Sequence, residues 1–207
     1  MLTKKQLEIL KVFNGDIFRS LTYKEIKEKS KQKSNNLILN AINEFKKERI
    51  IEVKKTGNVR SFSLNLKFNE TYSYLNIINE ETLNKSNLPR GTIQEIQNRI
   101  FKHTKLFILL VFGSYAKREE TKKSDLDIAV IVENENAKKE IAPYIETVKR
   151  REILEIDYYI FTEREFIEML KIEQQNVGKE IYRANFIYYG LIQYYNLIGE
   201  LKNEYNI

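Results

Sequence analysis

The chain has 207 residues, 42% hydrophobic and 31% charged, a balance that argues for a packed core in one large or two small domains rather than global disorder. With no cysteine and a single histidine, His103, it offers no thiolate zinc site, no disulfide framework, no cysteine nucleophile and no multi-histidine metal centre. The formal net charge of +6 is uneven, since residues 1–66 hold 15 Lys or Arg against 7 Asp or Glu, whereas residues 67–207 hold 20 against 22. That asymmetry points to a nucleic-acid-binding module at the N-terminal end, or to a lysine-rich composition without function. The longest apolar run, residues 106–112, is far shorter than the roughly 20 residues a membrane-spanning helix needs. The N-terminus also lacks the apolar core of a signal peptide, so a cytoplasmic protein without membrane association is expected. Any bound metal must rest mainly on carboxylates, which favours a hard cation such as Mg²⁺.

In chain order, Leu2, Leu7, Leu10 and Phe13 recur at helical spacing behind Thr3 as N-cap, and Asn14-Gly15 ends the helix. Thr22 with Glu25 forms a capping box for a second, short helix reaching about residue 29. Ser34 opens a third, with Ile38, Ala41, Ile42 and Phe45 on its buried side. After Ile50-Ile51 the pattern changes to short strands at 52–55 and 59–66, joined by the turn Thr56-Gly57-Asn58.

Residues 21–65 resemble a winged-helix DNA-binding domain of the kind common in prokaryotic regulators. The likeness rests on the polar second helix, the Ala41-Ile42 pair, the hydrophobic exit Ile50-Ile51 and the ending Phe62-Ser63-Leu64-Asn65; Arg49 stands where such domains often have glycine. The resemblance implies that the third helix reads the major groove through Asn36, Asn40, Asn43 and Lys47, opposite its apolar stripe. Lys54, Lys55 and Arg60 of the hairpin would contact the DNA backbone or minor groove. A solvated helix face with a basic hairpin serving protein contacts or dimerisation is the alternative.

A helical pattern over 68–79, with Tyr72, Leu75 and Ile78, reads as a connector or a dimer helix. Turn formers at 86–91, including Pro89, place a boundary there, and Ile93, Ile96, Ile100 and Phe101 open a helix with His103 at its polar end. The expected organisation is therefore 1–66, a connector over 67–88, and a second domain over 89–207. In that domain a buried strand at 106–112 stops at Gly113-Ser114, a short helix follows, and Lys122-Lys123-Ser124 turns the chain into a strand over 125–132. Asp125 and Asp127, two residues apart, project from one face of that strand. A third strand over 153–161 carries Asp157 within an apolar run, with Glu155 as the alternative acid. Read as a core strand, it makes Asp157 unfavourable unless paired, protonated or metal-bound, and three neighbouring carboxylates repel one another without a cation. On its own, Ser124-Asp125 also fits a simple turn cap. Helices at 135–148 and 163–173 imply an α/β sheet with helices mainly on one face, and 178–203 reads as one long tyrosine-rich helix that covers the sheet or meets a partner.

The combination Gly113-Ser114, Asp125-Leu126-Asp127 and Asp157 resembles the nucleotidyltransferase superfamily that includes DNA polymerase beta. More narrowly, GSYAKR followed by five residues and SDLD is similar to the minimal nucleotidyltransferase group of prokaryotes, over about residues 90–200, with Arg118 where the group usually has glycine. The resemblance implies an α/β (α+β) chain: an N-terminal winged helix-turn-helix and a C-terminal nucleotidyltransferase-fold mixed sheet flanked by helices. It implies that Asp125, Asp127 and Asp157 bind two Mg²⁺ ions and carry catalysis. Gly113, Ser114, Lys117, Arg118 and Ser124 would hold ATP or another nucleoside triphosphate. The activity implied is transfer of a nucleoside monophosphate, AMP from ATP, to an acceptor hydroxyl such as a protein tyrosine. The alternative is a DNA-binding regulator or antitoxin whose nucleotidyltransferase domain only senses nucleotide. Expected partners are a nucleoside triphosphate, double-stranded DNA, a protein acceptor or toxin, and a second copy in a homodimer.

Overall fold

The computed structural model of the chain describes residues 1–205, with side chains as far as residue 202; the last two residues of the domain expected at 89–207 lie outside the described residues. Two compact units divide at Glu81/Thr82. The first contains α1 (Lys4–Leu10) with a 3-10 turn after it, β1 (Leu21–Thr22), α2 (Tyr23–Ser30), α3 (Asn35–Lys47), β2 (Ile51–Thr56), β3 (Val59–Leu64) and most of α4 (Asn69–Asn84). The helix starts follow the expected caps. Thr3 and Thr22 each close a full capping box, with Gln6 and Glu25, and the Ser34 hydroxyl accepts from the Leu37 amide. β1 was not foreseen, because two residues carry no periodicity; Leu21 and Thr22 pair with Phe62 and Ser61, giving an antiparallel sheet of order β1-β3-β2.

Ile9, Leu10, Ile26, Ile38, Phe45 and Ile50 fill the core of this unit. α4 is fastened to it by polar contacts as well as by buried Leu75 and Ile78. The Tyr74 hydroxyl donates to Glu48 at 2.6 Å and accepts from the Leu2 amide at 3.2 Å, the terminal ammonium of Met1 meets Glu48 at 2.7 Å, and Lys11 meets Glu81 at 2.6 Å.

The second unit holds α5 (Arg90–Ile100), β4 (Phe107–Val111), α6 (Gly113–Lys117), β5 (Leu126–Val132), α7 (Glu135–Lys149), β6 (Ile156–Thr162), α8 (Glu163–Lys171), α9 (Val177–Arg183), β7 (Phe186–Tyr189) and α10 (Leu191–Tyr205). Its sheet is mixed, of order β6-β5-β4-β7, with β5 and β6 parallel and the other neighbours antiparallel. On one face Leu109, Val111, Ile128 and Val130 pack with Ile93 and Ile96 of α5 and Ile141 and Ile145 of α7. Helices also cover the other face, where α8 packs on β5 and α10 on β4. The one-sided arrangement expected from sequence is thus corrected: both faces of β4 and β5 are apolar, and a sheet with two apolar faces needs a helical layer on each.

The long helix expected over 178–203 is likewise corrected, to helix, strand, helix. Phe186, Ile187, Tyr188 and Tyr189 satisfy a helical stripe but equally suit a strand, and pairing with β4, far away in sequence, decides for the strand. Gly190 ends it at φ +81°, where a Cβ would stand 2.7 Å from the Phe107 carbonyl oxygen. Among the described residues no helix is long and apolar enough to cross a membrane.

Candidate active site

The site begins where β4 ends. The Phe112 amide donates to the Asp127 carbonyl at 3.0 Å, which fixes the end of β4 against the start of β5. Gly113 then enters α6 at φ +64°, and a Cβ there would stand 1.9 Å from Asp127 Oδ2 and 2.6 Å from its Cγ. Only glycine meets both demands, the left-handed backbone and the close approach of the carboxylate. α6 ends at Arg118 in the left-handed conformation, φ +60°. This is the position at which the resembled group uses glycine, and the backbone explains why. Arg49, at the other expected glycine position, has φ +56° for the same reason.

In the parallel β5–β6 register Asp127 lies directly opposite Asp157, so both carboxylates share a sheet face, and Asp125 precedes β5 with the same parity. The neighbours of Asp127 on its own strand alternate: Leu126 and Ile128 point into the core layer of α5 and α7, and Asp127 points away from it. Asp157, expected in a core strand, is on an edge strand with its side chain 57% exposed, so burial does not argue for a bound cation there. Lys149 Nζ donates to Asp157 Oδ1 at 3.5 Å. Beside it lies a cleft of about 300 Å³ lined in part by Lys149, Glu152, Glu155 and Asp157.

Burial pushes the Asp127 carboxyl above its ordinary value, and the negative charges of Asp157, Asp125 and Glu180 push the same way, with Lys117 opposing them. The donor set fits a hard divalent cation: carboxylate oxygens from two adjacent strands face one way, and their repulsion is felt at Asp127. Among the described residues no three acidic side chains are already drawn to ligating distance of a common point.

The expected nucleotide-binding residues divide. Gly113, Ser114, Lys117 and Arg118 all sit on or at the end of α6, beside Asp127. Ser124 instead closes the loop before β5, its hydroxyl accepting from the Thr121 amide at 2.8 Å. Lys117 Nζ donates to Glu180 Oε1 of α9 at 2.7 Å, across a cleft of about 440 Å³ that Gln175, Asn176 and Arg183 also line. Glu180 and Arg183 were not singled out from sequence. Their i, i+3 spacing acquires meaning only once α9 is a separate short helix facing α6.

In the first unit, Asn36, Asn40, Asn43 and Lys47 are all exposed along α3, opposite buried Ile38, Ala41, Ile42 and Phe45. Lys54 and Lys55 on β2 and Arg60 on β3 are exposed as well.

Residues 94–187 match the family model described as Polymerase beta, Nucleotidyltransferase. That span contains Gly113, Asp125, Asp127, Asp157, Glu180 and Arg183, and the match supports a nucleotidyltransferase domain in the second unit, with nucleotidyl transfer as its reaction class. No curated protein matches the chain.

Proposed function

We propose that the chain is a Mg²⁺-dependent nucleotidyltransferase that moves a nucleoside monophosphate, AMP from ATP, to an acceptor hydroxyl, a protein tyrosine being the leading candidate. The observation that carries this reading is the juxtaposition of Asp127 with Asp157 in parallel register and with the backbone of Gly113, within the segment that matches the family. Nucleoside triphosphate implies Mg²⁺, and Asp125, Asp127 and Asp157 are the residues to hold two ions. Bound there, Mg²⁺ supplies Lewis-acid neutralisation of the charge that grows on the α-phosphate and on departing pyrophosphate. The Ser114 hydroxyl and the backbone after Gly113 hold the phosphates, with Lys117 and Arg118 as cationic contacts. Asp157, open to solvent at the sheet edge, receives the proton of the acceptor hydroxyl. In the transfer the acceptor oxygen bonds to the α-phosphorus as the bond to the bridging oxygen of pyrophosphate breaks.

We further propose that the first unit is a winged helix-turn-helix that binds double-stranded DNA through Asn36, Asn40, Asn43 and Lys47 on α3 and through Lys54, Lys55 and Arg60 on the hairpin. The exposure of all seven supports it. Incubating the full chain with Mg²⁺ and ATP labelled at either the α- or the γ-phosphate, together with candidate protein acceptors, tests the catalytic reading. Label on an acceptor from the α-position alone is the expected result. Transfer of γ-label contradicts it, and saturable ATP binding without transfer selects a nucleotide-sensing regulator instead.

A further inference from the structure

We infer that the ion pair between Lys117 and Glu180 is a latch across the nucleotide cleft, which the polyphosphate of the incoming nucleoside triphosphate opens by taking Lys117 from Glu180. This inference rests on the proposed nucleotidyl transfer and deepens it by naming a device that tunes affinity at the same site.

Four observations support it. The cleft between the end of α6 and α9 has about 440 Å³, within the range of small-molecule sites. Its walls present two cations, Lys117 and Arg183, and one anion, Glu180. Lys117 and Glu180 are joined at 2.7 Å by side chains that are 42% and 46% exposed, so the pair is weak enough to be exchanged. Lys117 stands on α6, the five-residue helix whose first residue, Gly113, abuts the Asp127 carboxylate, so this wall of the cleft is built on the same element as the carboxylate site. A carboxylate held by an ammonium group is the arrangement a phosphate oxygen would replace, because both are oxyanions accepting the same charge-assisted hydrogen bond. Arg183 is held by the neutral Gln175 carbonyl oxygen at 2.6 Å, and so reaches a phosphate without giving up an ion pair. Its planar fork suits a bidentate phosphate contact. Glu180 therefore weakens polyphosphate binding in two ways, by occupying Lys117 and by adding negative charge where the phosphates must lie.

The test is calorimetric titration of the full chain with MgATP and, separately, with AMP, in wild type, Glu180→Gln, Lys117→Met and the double variant, with Glu180→Ala as a second form should the first fail to fold. Expected is a gain of about fivefold in ATP affinity for Glu180→Gln with AMP affinity unchanged, a loss of about tenfold for Lys117→Met, and a gain of less than about twofold from Glu180→Gln once Lys117 is absent, the remainder left by charge repulsion alone. Unchanged or weaker ATP binding by the Glu180 variants overturns the latch while leaving the nucleotidyltransferase reading intact. A gain that is undiminished without Lys117 overturns it too, because charge repulsion alone then accounts for it. Failure of every form, wild type included, to bind MgATP overturns the nucleotidyltransferase reading, and the latch with it.

Discussion

Gly113 and Arg118, the two ends of α6, show how far single backbone angles govern the site. At Gly113 the positive φ and the Asp127 oxygen leave no room for a Cβ. Gly113→Ala is expected to cut transfer at least about 100-fold and to lower stability by about 1–3 kcal/mol, measured by steady-state assay and by denaturant titration. At Arg118 the same kind of angle is borne by a residue with a Cβ, so Arg118→Gly is expected to stabilise the chain by up to about 1 kcal/mol, with Arg49→Gly acting in the same direction. Asp127 carries the opposite bargain between stability and function. Its carboxyl titrates above the ordinary Asp value of 3.8, because of burial first and of Asp157 and Asp125 next. The folded state therefore binds the proton more tightly than the unfolded state, and stability falls as pH rises from the unfolded value through the folded one. Asp127→Asn is expected to melt at a higher temperature than wild type at pH 7, with the difference shrinking as pH falls towards 3.8. Scanning calorimetry at several pH values in the absence of divalent ions checks the sign.

At the level of elements, the caps made the helix starts legible. Thr3, Thr22 and Ser34 each carry a local signal that the structure uses as written, and the Asp-x-Asp spacing located one sheet face without any knowledge of the fold. What could not be read depended on distant partners. Phe186–Tyr189 is strand because it pairs with β4, and Asp157 is exposed on the sheet face opposite the one where its neighbour Ile156 is buried, facts that no window of sequence contains. For the same reason Glu180 and Arg183 stayed hidden inside what read as one helix. Gly190 is the residue that permits the strand to turn into α10. Gly190→Ala, with φ +81° and a Cβ 2.7 Å from the Phe107 carbonyl oxygen, is expected to lower unfolding free energy by about 2–3 kcal/mol and to speed amide exchange in β7 and β4 ahead of β5.

For the molecule as a whole, charge and chemistry separate by unit. Residues 1–81 hold 16 Lys or Arg against 10 Asp or Glu, and residues 82–207 hold 19 of each, so the net +6 belongs wholly to the first unit. If α3 and the hairpin bind duplex DNA, affinity falls with salt, and log–log plots steepen by about 0.9 for each phosphate contacted. Lys54→Ala and Lys55→Ala are expected each to flatten that slope by about one, whereas Asn40→Ala alters sequence preference and leaves the slope unchanged. The second unit, electrically balanced, places Asp127 and Asp157 on one sheet face with Lys117 and Lys149 near them, and the burial and repulsion felt at Asp127 suit a metal and polyphosphate rather than stability. The most direct measurement of that claim is Mg²⁺-dependent pyrophosphate release from ATP by the full chain in the presence of the candidate acceptor proteins that supply the attacking hydroxyl, compared across wild type, Asp125→Asn and Asp127→Asn at matched folding. Release that requires Mg²⁺ and drops by about 1,000-fold in both variants is the expected result. Release that persists in either variant at the wild-type rate would contradict the account.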